Sequence, residues 1–427
     1  MVAVLFGTLF VLLLLNIPIA VCLTLSCALA MVVGGLDSNL VVLPQKMFTA
    51  MDSFPFMAVP FFMLAGGIME SGGISKRLIE FAKALIGWVP GGLSVITVVS
   101  SGFFGALSGS NAATVAAIGG TMIPAMEDEG YDKEYACAVA ASAGTLGVVV
   151  PPSTPMITFG VVSGVSIGTL FIAGFVPAIL MIVTLSLVMI IKARGLGYGT
   201  IPFSFRVLFR SFFRSILAIL MPVIILGGIY GGIFTPTESA AVAIVYALIV
   251  SMLIYREISW KDFPRIIISA GRSTAVVMFV IAASGAFSWL LVYERIPNSI
   301  AAAILSVVNN KYAILLILNL LLLVLGVFLE TNAIILMITP MILPIASQIG
   351  VSYLEIGLIM VVNTSVGMLT PPMALNILIA AGIGNRSIEA VSKKVIPFLI
   401  VLIMDILIIT YVPGFITFLP NALGMPS

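Results

Sequence analysis

Gly144-Thr145-Leu146-Gly147-Val148-Val149-Val150-Pro151-Pro152-Ser153 interrupts one apolar segment of the chain. Thr364-Ser365-Val366-Gly367-Met368-Leu369-Thr370-Pro371-Pro372-Met373 interrupts another, 220 positions further on. Two consecutive prolines remove two backbone N–H donors and clash with the turn before them, so neither segment runs as one unbroken helix. A glycine four residues ahead of each pair, Gly147 and Gly367, lets the freed backbone unwind. The match extends well beyond these ten residues. Pro124 returns as Pro344, Gly130 as Gly350, Gly164 as Gly384 and Pro177 as Pro397, at the same offset and without a gap. With 39 Gly and 23 Pro in 427 residues, chance aligns roughly one or two of them over such a window. A long internal repeat with a Pro-Pro break in each copy is the pattern of a secondary transporter, and it places the sites at the breaks.

Composition sets the solvent. Apolar residues make up 61% of the chain and charged residues 8%, with a mean hydropathy of +1.27. A soluble protein of this length cannot cover its surface with so few charges. Lipid is the solvent, and several apolar runs are long enough to span a bilayer. The net charge of +2, with no basic stripe, argues against nucleic acid as a partner. The absence of histidine excludes His metal sites and His general bases. Cys22, Cys27 and Cys137 lie in apolar segments without disulfide or metal spacing and read as packing residues. The N-terminus has no basic n-region and no obvious small-residue cleavage site, so it reads as a retained first span.

The expected fold is an all-α membrane protein. Crossings are expected near 1–15, 17–34, 54–70, 133–163 and 169–192, and again near 215–233, 236–254, 272–292, 353–383 and 391–412. Asn16 and Pro18 break the first apolar run as Thr235 and Pro236 break its counterpart. The remaining stretches, 92–126 and 312–345, are apolar on both arms with a polar middle: Ser108-Gly109-Ser110-Asn111 in one, Glu330-Thr331-Asn332 in the other. A re-entrant helical hairpin, its tip lining a protein-enclosed cavity, satisfies helix ends at that depth. The competing reading is two full crossings joined by an exposed loop. With the N-terminus outside and both stretches taken as hairpins, all of the 19 Lys and Arg except Lys46, Arg295 and Lys311 fall inside. Five crossings per half then give the halves opposite orientation, an inverted repeat. Residues 1–192 form the first repeat (hairpin 92–126, broken helix 133–163). Residues 193–214 are a cytoplasmic interfacial connector. Residues 215–427 form the second repeat (hairpin 312–345, broken helix 353–383). Residues 71–90 and 195–214 mix basic with aromatic and aliphatic side chains and suit helices lying in the cytoplasmic interface.

Each half thus offers a hairpin tip facing a broken helix. Unwound carbonyls and hydroxyls near the bilayer midplane suit a hard cation such as Na⁺. The N-termini of each hairpin's second arm and of the helix after Pro-Pro present free N–H groups that suit a carboxylate. Glu70, Glu238, Glu330 and Asp405 lie in or near apolar regions, where carboxylates are costly and functional by default. Glu238, after Thr235-Pro236-Thr237, fits a helix cap. Glu330 stands at the second tip. No Lys or Arg falls in the expected binding layer. The candidate substrate residues are therefore Ser108, Asn111, Ser153, Thr154, Thr331 and Asn332.

The chain resembles the large membrane subunit of TRAP transporters, the tripartite ATP-independent periplasmic family, over essentially its full length. The resemblance is carried by Pro60-Phe61-Phe62-Met63-Leu64-Ala65-Gly66, Leu107-Ser108-Gly109-Ser110, Pro151-Pro152-Ser153, Gly231-Gly232-Ile233-Phe234-Thr235-Pro236-Thr237-Glu238, Thr370-Pro371-Pro372 and the acidic tip Glu330. It implies a small membrane subunit, a periplasmic substrate-binding protein, the bacterial inner membrane, and Na⁺-coupled uptake of a C4-dicarboxylate or sialic acid by an elevator movement. It also implies two Na⁺ sites: Ser108, Ser110, Gly147 and Val150 in one, and Gly326, Gly367, Thr370 and Met373 in the other. The family more often carries Ile where Thr154 stands, and the hydroxyl here leaves room for a more polar cargo such as a sialic acid. A stand-alone ion-coupled carboxylate carrier is the alternative, with a channel or an intramembrane enzyme further off. No Gly-x-x-x-x-Gly-Lys-Ser/Thr motif for nucleotide phosphates occurs, and no evident catalytic constellation lies in the spans.

Overall fold

In the computed structural model the described residues are 1–15, 17–36, 39–194, 202–307 and 310–425, and among them there are helices and no strand. The first half runs α1 (Val2–Leu14), α2 (Ile19–Val33), α3 (Val42–Met51), a 3-10 turn (Phe54–Met57), α4 (Ala58–Ser71), α5 (Ile74–Ile86), α6 (Gly92–Ser108), α7 (Asn111–Asp128), α8 (Lys133–Ala143), α9 (Leu146–Val149), α10 (Thr154–Ser163) and α11 (Ile167–Arg194). The second runs α12 (Phe205–Tyr230), α13 (Pro236–Leu248), α14 (Phe263–Tyr293), α15 (Ile296–Val307), α16 (Lys311–Phe328), α17 (Thr331–Gln348), α18 (Tyr353–Gly367), α19 (Leu375–Gly384), α20 (Ile388–Tyr411) and α21 (Pro413–Ala422). The constant offset carries α6 and α7 onto α16 and α17, and α8 through α11 onto α18 through α20, within about a turn at each end.

Both hairpins and both broken helices appear where the repeat puts them. Glycine or extended backbone ends each first arm: Gly109 is left-handed (φ 58°) after α6, and Leu329 is extended after α16. Ser110 caps α7 by accepting the Ala113 N–H at 3.4 Å, which satisfies a donor that has no partner within the helix. The helix breaks fall at Val150–Ser153 and between Gly367 and Leu375, with both Pro-Pro bonds cis. Thr235 and Glu238 form a reciprocal capping box at the start of α13, the role expected of Glu238.

Three boundaries differ from the sequence expectation. First, 205–214 is not a separate interfacial helix: it continues straight into the span as the 26-residue α12. Its Arg206, Arg210 and Arg214 lie on the same side as Phe and Leu neighbours, and helical periodicity alone does not mark where such a helix enters lipid. Residues 195–201 of the connector, and Asn16 of the first break, lie outside the described residues. Second, α14 starts at Phe263 rather than near 272. The offset shows why: α14 corresponds to α3, the 3-10 turn and α4 fused into one helix, where Pro55 enforces the break in the first copy. Third, α15 was not anticipated. It is the counterpart of α5 in sequence, but it packs on the second arm of its hairpin, α17, where α5 packs on the first arm, α6.

Ion pairs tie together segments that the charge reading places on one face. Arg77 reaches Glu257 at 3.2 Å and stacks on Tyr255 at 3.6 Å; Lys394 meets Asp132 at 3.2 Å and Arg386 meets Glu134 at 3.4 Å. Partial burial pushes the Asp132 carboxyl up, but the Tyr135 N–H and Lys394 outweigh it and hold the group below its ordinary value. The expected opposite face is joined by Lys311 donating to the Gly350 carbonyl at 3.2 Å.

Candidate functional site

The two hairpin tips and the two breaks meet in the middle of the molecule. At the first, hairpin and broken helix touch backbone to backbone. A Cβ on Gly147 would lie 2.4 Å from the Ser110 carbonyl oxygen and 2.6 Å from Thr114 Oγ1, and one on Gly105 would lie 2.8 Å from the Leu146 carbonyl oxygen. No side chain fits there, so glycine is what permits the approach. Ser108 Oγ and Thr114 Oγ1 are 3.0 Å apart, and Thr114 Oγ1 donates to the Ser110 carbonyl at 2.8 Å. Ser108, Ser110 and Gly147 are therefore brought together as expected, and Thr114 joins them. Val150 turns its side chain into a separate apolar cleft with Pro151. Its N–H is spent on the Leu146 carbonyl at 3.0 Å, so its contribution is limited to its own carbonyl.

The second copy repeats the close approach in a different register. A Cβ on Gly367 would lie 2.6 Å from Gly326 Cα, and one on Gly326 would lie 2.9 Å from the Thr364 carbonyl oxygen. Thr370 Oγ1 donates to the Val366 carbonyl at 3.1 Å. Met373 is 49% exposed in the turn after α18, so its side chain takes no part in an enclosed cage.

Beside the first contact lies a cavity of about 870 Å³, which reaches Met368 next to the second. Its wall includes Ser108, Ser110, Asn111, Thr154, Glu330, Thr331 and Asn332, and Gly66, Glu70, Ser269 and Ser273 of the facing α4 and α14. Among the described residues no Lys or Arg lines it. Ser108, Thr154, Thr331 and Asn332 thus face one space. Thr154 Oγ1 donates to the Gly109 carbonyl at 3.0 Å, fastening α10 to the first tip. Asn332 donates to Glu330 Oε1 at 2.8 Å and accepts from Thr158 Oγ1 at 3.1 Å. Two expected residues have other duties. Ser153 is 1% exposed, lies off the cavity wall and donates to the Val148 carbonyl, closing the break internally. Asn111 touches the cavity, but its amide is committed to Ser365 and Val148. Asp405 sits apart between α20 and α11, accepting from Thr184 Oγ1 at 2.7 Å. Thr114 was legible in principle as a hydroxyl one turn beyond the tip; Thr158, Ser269 and Ser273 carried no local signal.

Comparison with known proteins identifies the fold and the family. A solved structure, the Alcanivorax borkumensis YdaH transporter, overlays with a TM-score of 0.62, covering 90% of this chain and 89% of that one at 14% identity, and so shares the fold. The isethionate TRAP transporter permease protein DctMQ of Oleidesulfovibrio alaskensis is 40% identical over 96% of this chain, which spans 65% of that protein's length. The C4-dicarboxylate TRAP transporter large permease protein DctM of Rhodobacter capsulatus is 35% identical over 99% of both chains. The sialic acid TRAP transporter large permease protein SiaM of Vibrio cholerae is 35% identical over 88% of each. These relatives are named as transporter permeases, not enzymes. The profile of the tripartite ATP-independent periplasmic transporter, DctM component, matches residues 6–415. The chain is a multi-pass membrane protein that belongs to the DctM family of TRAP transporter large permease subunits.

Proposed function

We propose that this subunit imports an organic anion across the bacterial inner membrane, driven by Na⁺, in company with a small membrane subunit and a periplasmic binding protein. The observation that carries it is the pair of glycine-lined contacts between hairpin tip and broken helix, the first lining a cavity whose wall carries hydroxyls and an amide and the second reaching it through Met368. The first contact gathers the Ser110 carbonyl and the Ser108 and Thr114 hydroxyls, hard oxygens of the kind Na⁺ takes. The second offers Thr370 and the carbonyls around Gly367. The cargo's anionic group meets hydroxyls, the Asn332 amide and the N-terminus of the 18-residue α17, whose dipole favours negative charge. The relatives carry isethionate, C4-dicarboxylates or sialic acids by name; their shared feature is a small organic anion.

An elevator movement suits the layout. α4 and α14 form one wall of the cavity, and the tips and breaks form the other. A Cβ on Gly66 of α4 would lie 3.3 Å from the Leu107 carbonyl oxygen and 3.5 Å from Ser108 Cα, so glycine lets α4 pack closely against the first tip. A largely apolar cleft of about 540 Å³ separates α12 from α6 and α11 elsewhere along the same boundary.

Two measurements test this. In proteoliposomes holding the complete system, uptake is expected to require an inward Na⁺ gradient, and Thr370→Val is expected to raise the Na⁺ concentration for half-maximal uptake about tenfold or more, since valine keeps the shape but offers no oxygen. Uptake that ignores Na⁺ would remove the coupling ion. The second concerns orientation, with the N-terminus periplasmic. Single cysteines at positions 46 and 295 are expected to react with an impermeant thiol reagent in spheroplasts, and those at 210 and 261 only after lysis. Strong labelling of intact cells at 210 and 261 would reverse the topology.

A further inference from the structure

Ser365 and Thr145 occupy equivalent positions in the two copies, and they touch. Ser365 Oγ donates to the Thr145 carbonyl oxygen at 2.6 Å. Equivalent residues in contact flank the pseudo-two-fold axis expected of an inverted repeat. The same hydroxyl accepts from Asn111 Nδ2 at 2.8 Å, so its donor is used and it holds together both broken helices and the first hairpin. Asn111 in turn accepts the Val148 N–H at 3.1 Å through Oδ1. Nδ2 also reaches Met368 Sδ at 3.6 Å, the sulfur that Thr331 of the second tip meets at 3.5 Å. Asn111, Thr145, Thr331 and Ser365 are each 1% exposed or less.

The placement of this network matters more than its size. Asn111 follows Ser110, and Val148 follows Gly147; both neighbours belong to the first candidate cation contact. Ser365 is two residues from Gly367, and Met368 is one residue beyond it; both border the second. Every link therefore begins or ends within two residues of a cation contact, and the links join without a gap. Thr145 contributes only its carbonyl, because its own hydroxyl donates to Ser142 at 2.7 Å. Of the side chains that link the halves here, Ser365 is the one that bonds both the first tip and the first broken helix, beside the longer Asn111–Met368 contact.

We propose that Ser365 is a positioning residue that makes the two Na⁺ sites cooperative. This rests on the Na⁺-coupled reading above. An ion at the first contact fixes Ser110 and Gly147, and with them Asn111 and Val148. Through Ser365, that ordering reaches Gly367 and Met368, so the second contact forms at lower cost. Coupling of this kind needs two sites and a continuous physical connection that both bias, and the network supplies the connection. By reciprocity, occupancy of the second site favours the first to the same extent.

The test compares the intact wild-type system with Ser365→Ala, which removes one oxygen and nothing else. Uptake is measured against Na⁺ concentration, and Na⁺-dependent thermal stabilisation of the purified protein is measured in parallel. In the wild type the Hill coefficient is expected to approach about two, the number of sites. In Ser365→Ala it is expected to fall to about one, with Na⁺ still activating and still stabilising. Ser365→Cys, which keeps a weak donor in similar volume, is expected to fall between them, and it gives the same readout if Ser365→Ala fails to fold. An unchanged Hill coefficient in Ser365→Ala, even with slower uptake, would reduce Ser365 to a packing residue and overturn the proposal. A wild type indifferent to Na⁺ in both assays overturns the coupling together with the Na⁺ reading, and the wild-type arm alone reports that failure.

Discussion

Gly367→Val is expected to reduce uptake by a factor of about ten to a hundred while the protein still inserts and purifies. The first added carbon alone would lie 2.6 Å from Gly326 Cα, 2.9 Å from the Gly326 carbonyl carbon and 3.0 Å from the Leu323 carbonyl oxygen. These are backbone atoms of α16, so no rotamer change relieves the clash; the hairpin arm must move away from the broken helix. Overpacking of this kind costs about 1–3 kcal/mol, and each 1.4 kcal/mol is about tenfold in an equilibrium. The loss falls on the geometry that both the cation contact and the second tip depend on. Gly120→Ala is the matched control, since its added carbon meets nothing within 4 Å and uptake should stay at the wild-type level. Uptake by Gly367→Val at the wild-type rate would mean that the close approach of α16 and α18 plays no part in transport.

That contact shows what the sequence made legible. A glycine four residues before a Pro-Pro pair, twice, located both breaks, and the hairpins at 92–126 and 312–345 fall within a few residues of α6–α7 and α16–α17. Repetition did this work: a feature too weak to trust once becomes specific when it recurs in register. The failures share a physical cause. α12 and α14 differ from expectation because apolar periodicity continues through a membrane boundary without changing, and the first-copy break at Pro55 has no proline at the corresponding place in α14. Length is no better guide, since both arms of the second hairpin are long and apolar enough to pass for spans. Ser365 was invisible as a bridging residue because its partners are 220 and 254 residues away, and nothing local distinguishes a serine that caps a neighbour from one that joins two repeats. Ser153 failed the other way: a hydroxyl beside Pro-Pro suggested a substrate contact, but the nearest unsatisfied acceptor, the Val148 carbonyl, claimed it.

Charge in the cavity sharpens the question of cargo. Glu70 and Glu330 line it and no base does among the described residues. On the reading proposed above, an organic anion there meets neutral donors and helix ends beside two acidic side chains. Specific, strong carboxylate capture ordinarily uses an arginine fork. On that reading the strong grip comes from another component of the system.

Leaving out the periplasmic binding protein is accordingly expected to abolish uptake at low substrate concentration, and leaving out the small membrane subunit is expected to do the same. The stretches expected on the outer face are short: Gly164–Ser166 between α10 and α11, Gly231–Thr235 between α12 and α13, and Ile349–Ser352 between α17 and α18. None has room for a capture domain. A cleft of about 720 Å³ lies among the first two, lined by Gly164, Ser166, Phe234 and Pro236. The small membrane subunit is expected to cover part of the apolar flank of α1 and α2, where Phe10, Val11, Leu14, Leu25, Leu29 and Val33 are exposed. The experiment reconstitutes the system with each component omitted in turn and measures Na⁺-driven uptake at substrate concentrations well below those that saturate it. Only the complete set should concentrate substrate. Full uptake by this chain alone under those conditions would make it a self-sufficient carrier, the stand-alone alternative, whose cavity must then bind its anion tightly with no basic side chain among the described residues that line it.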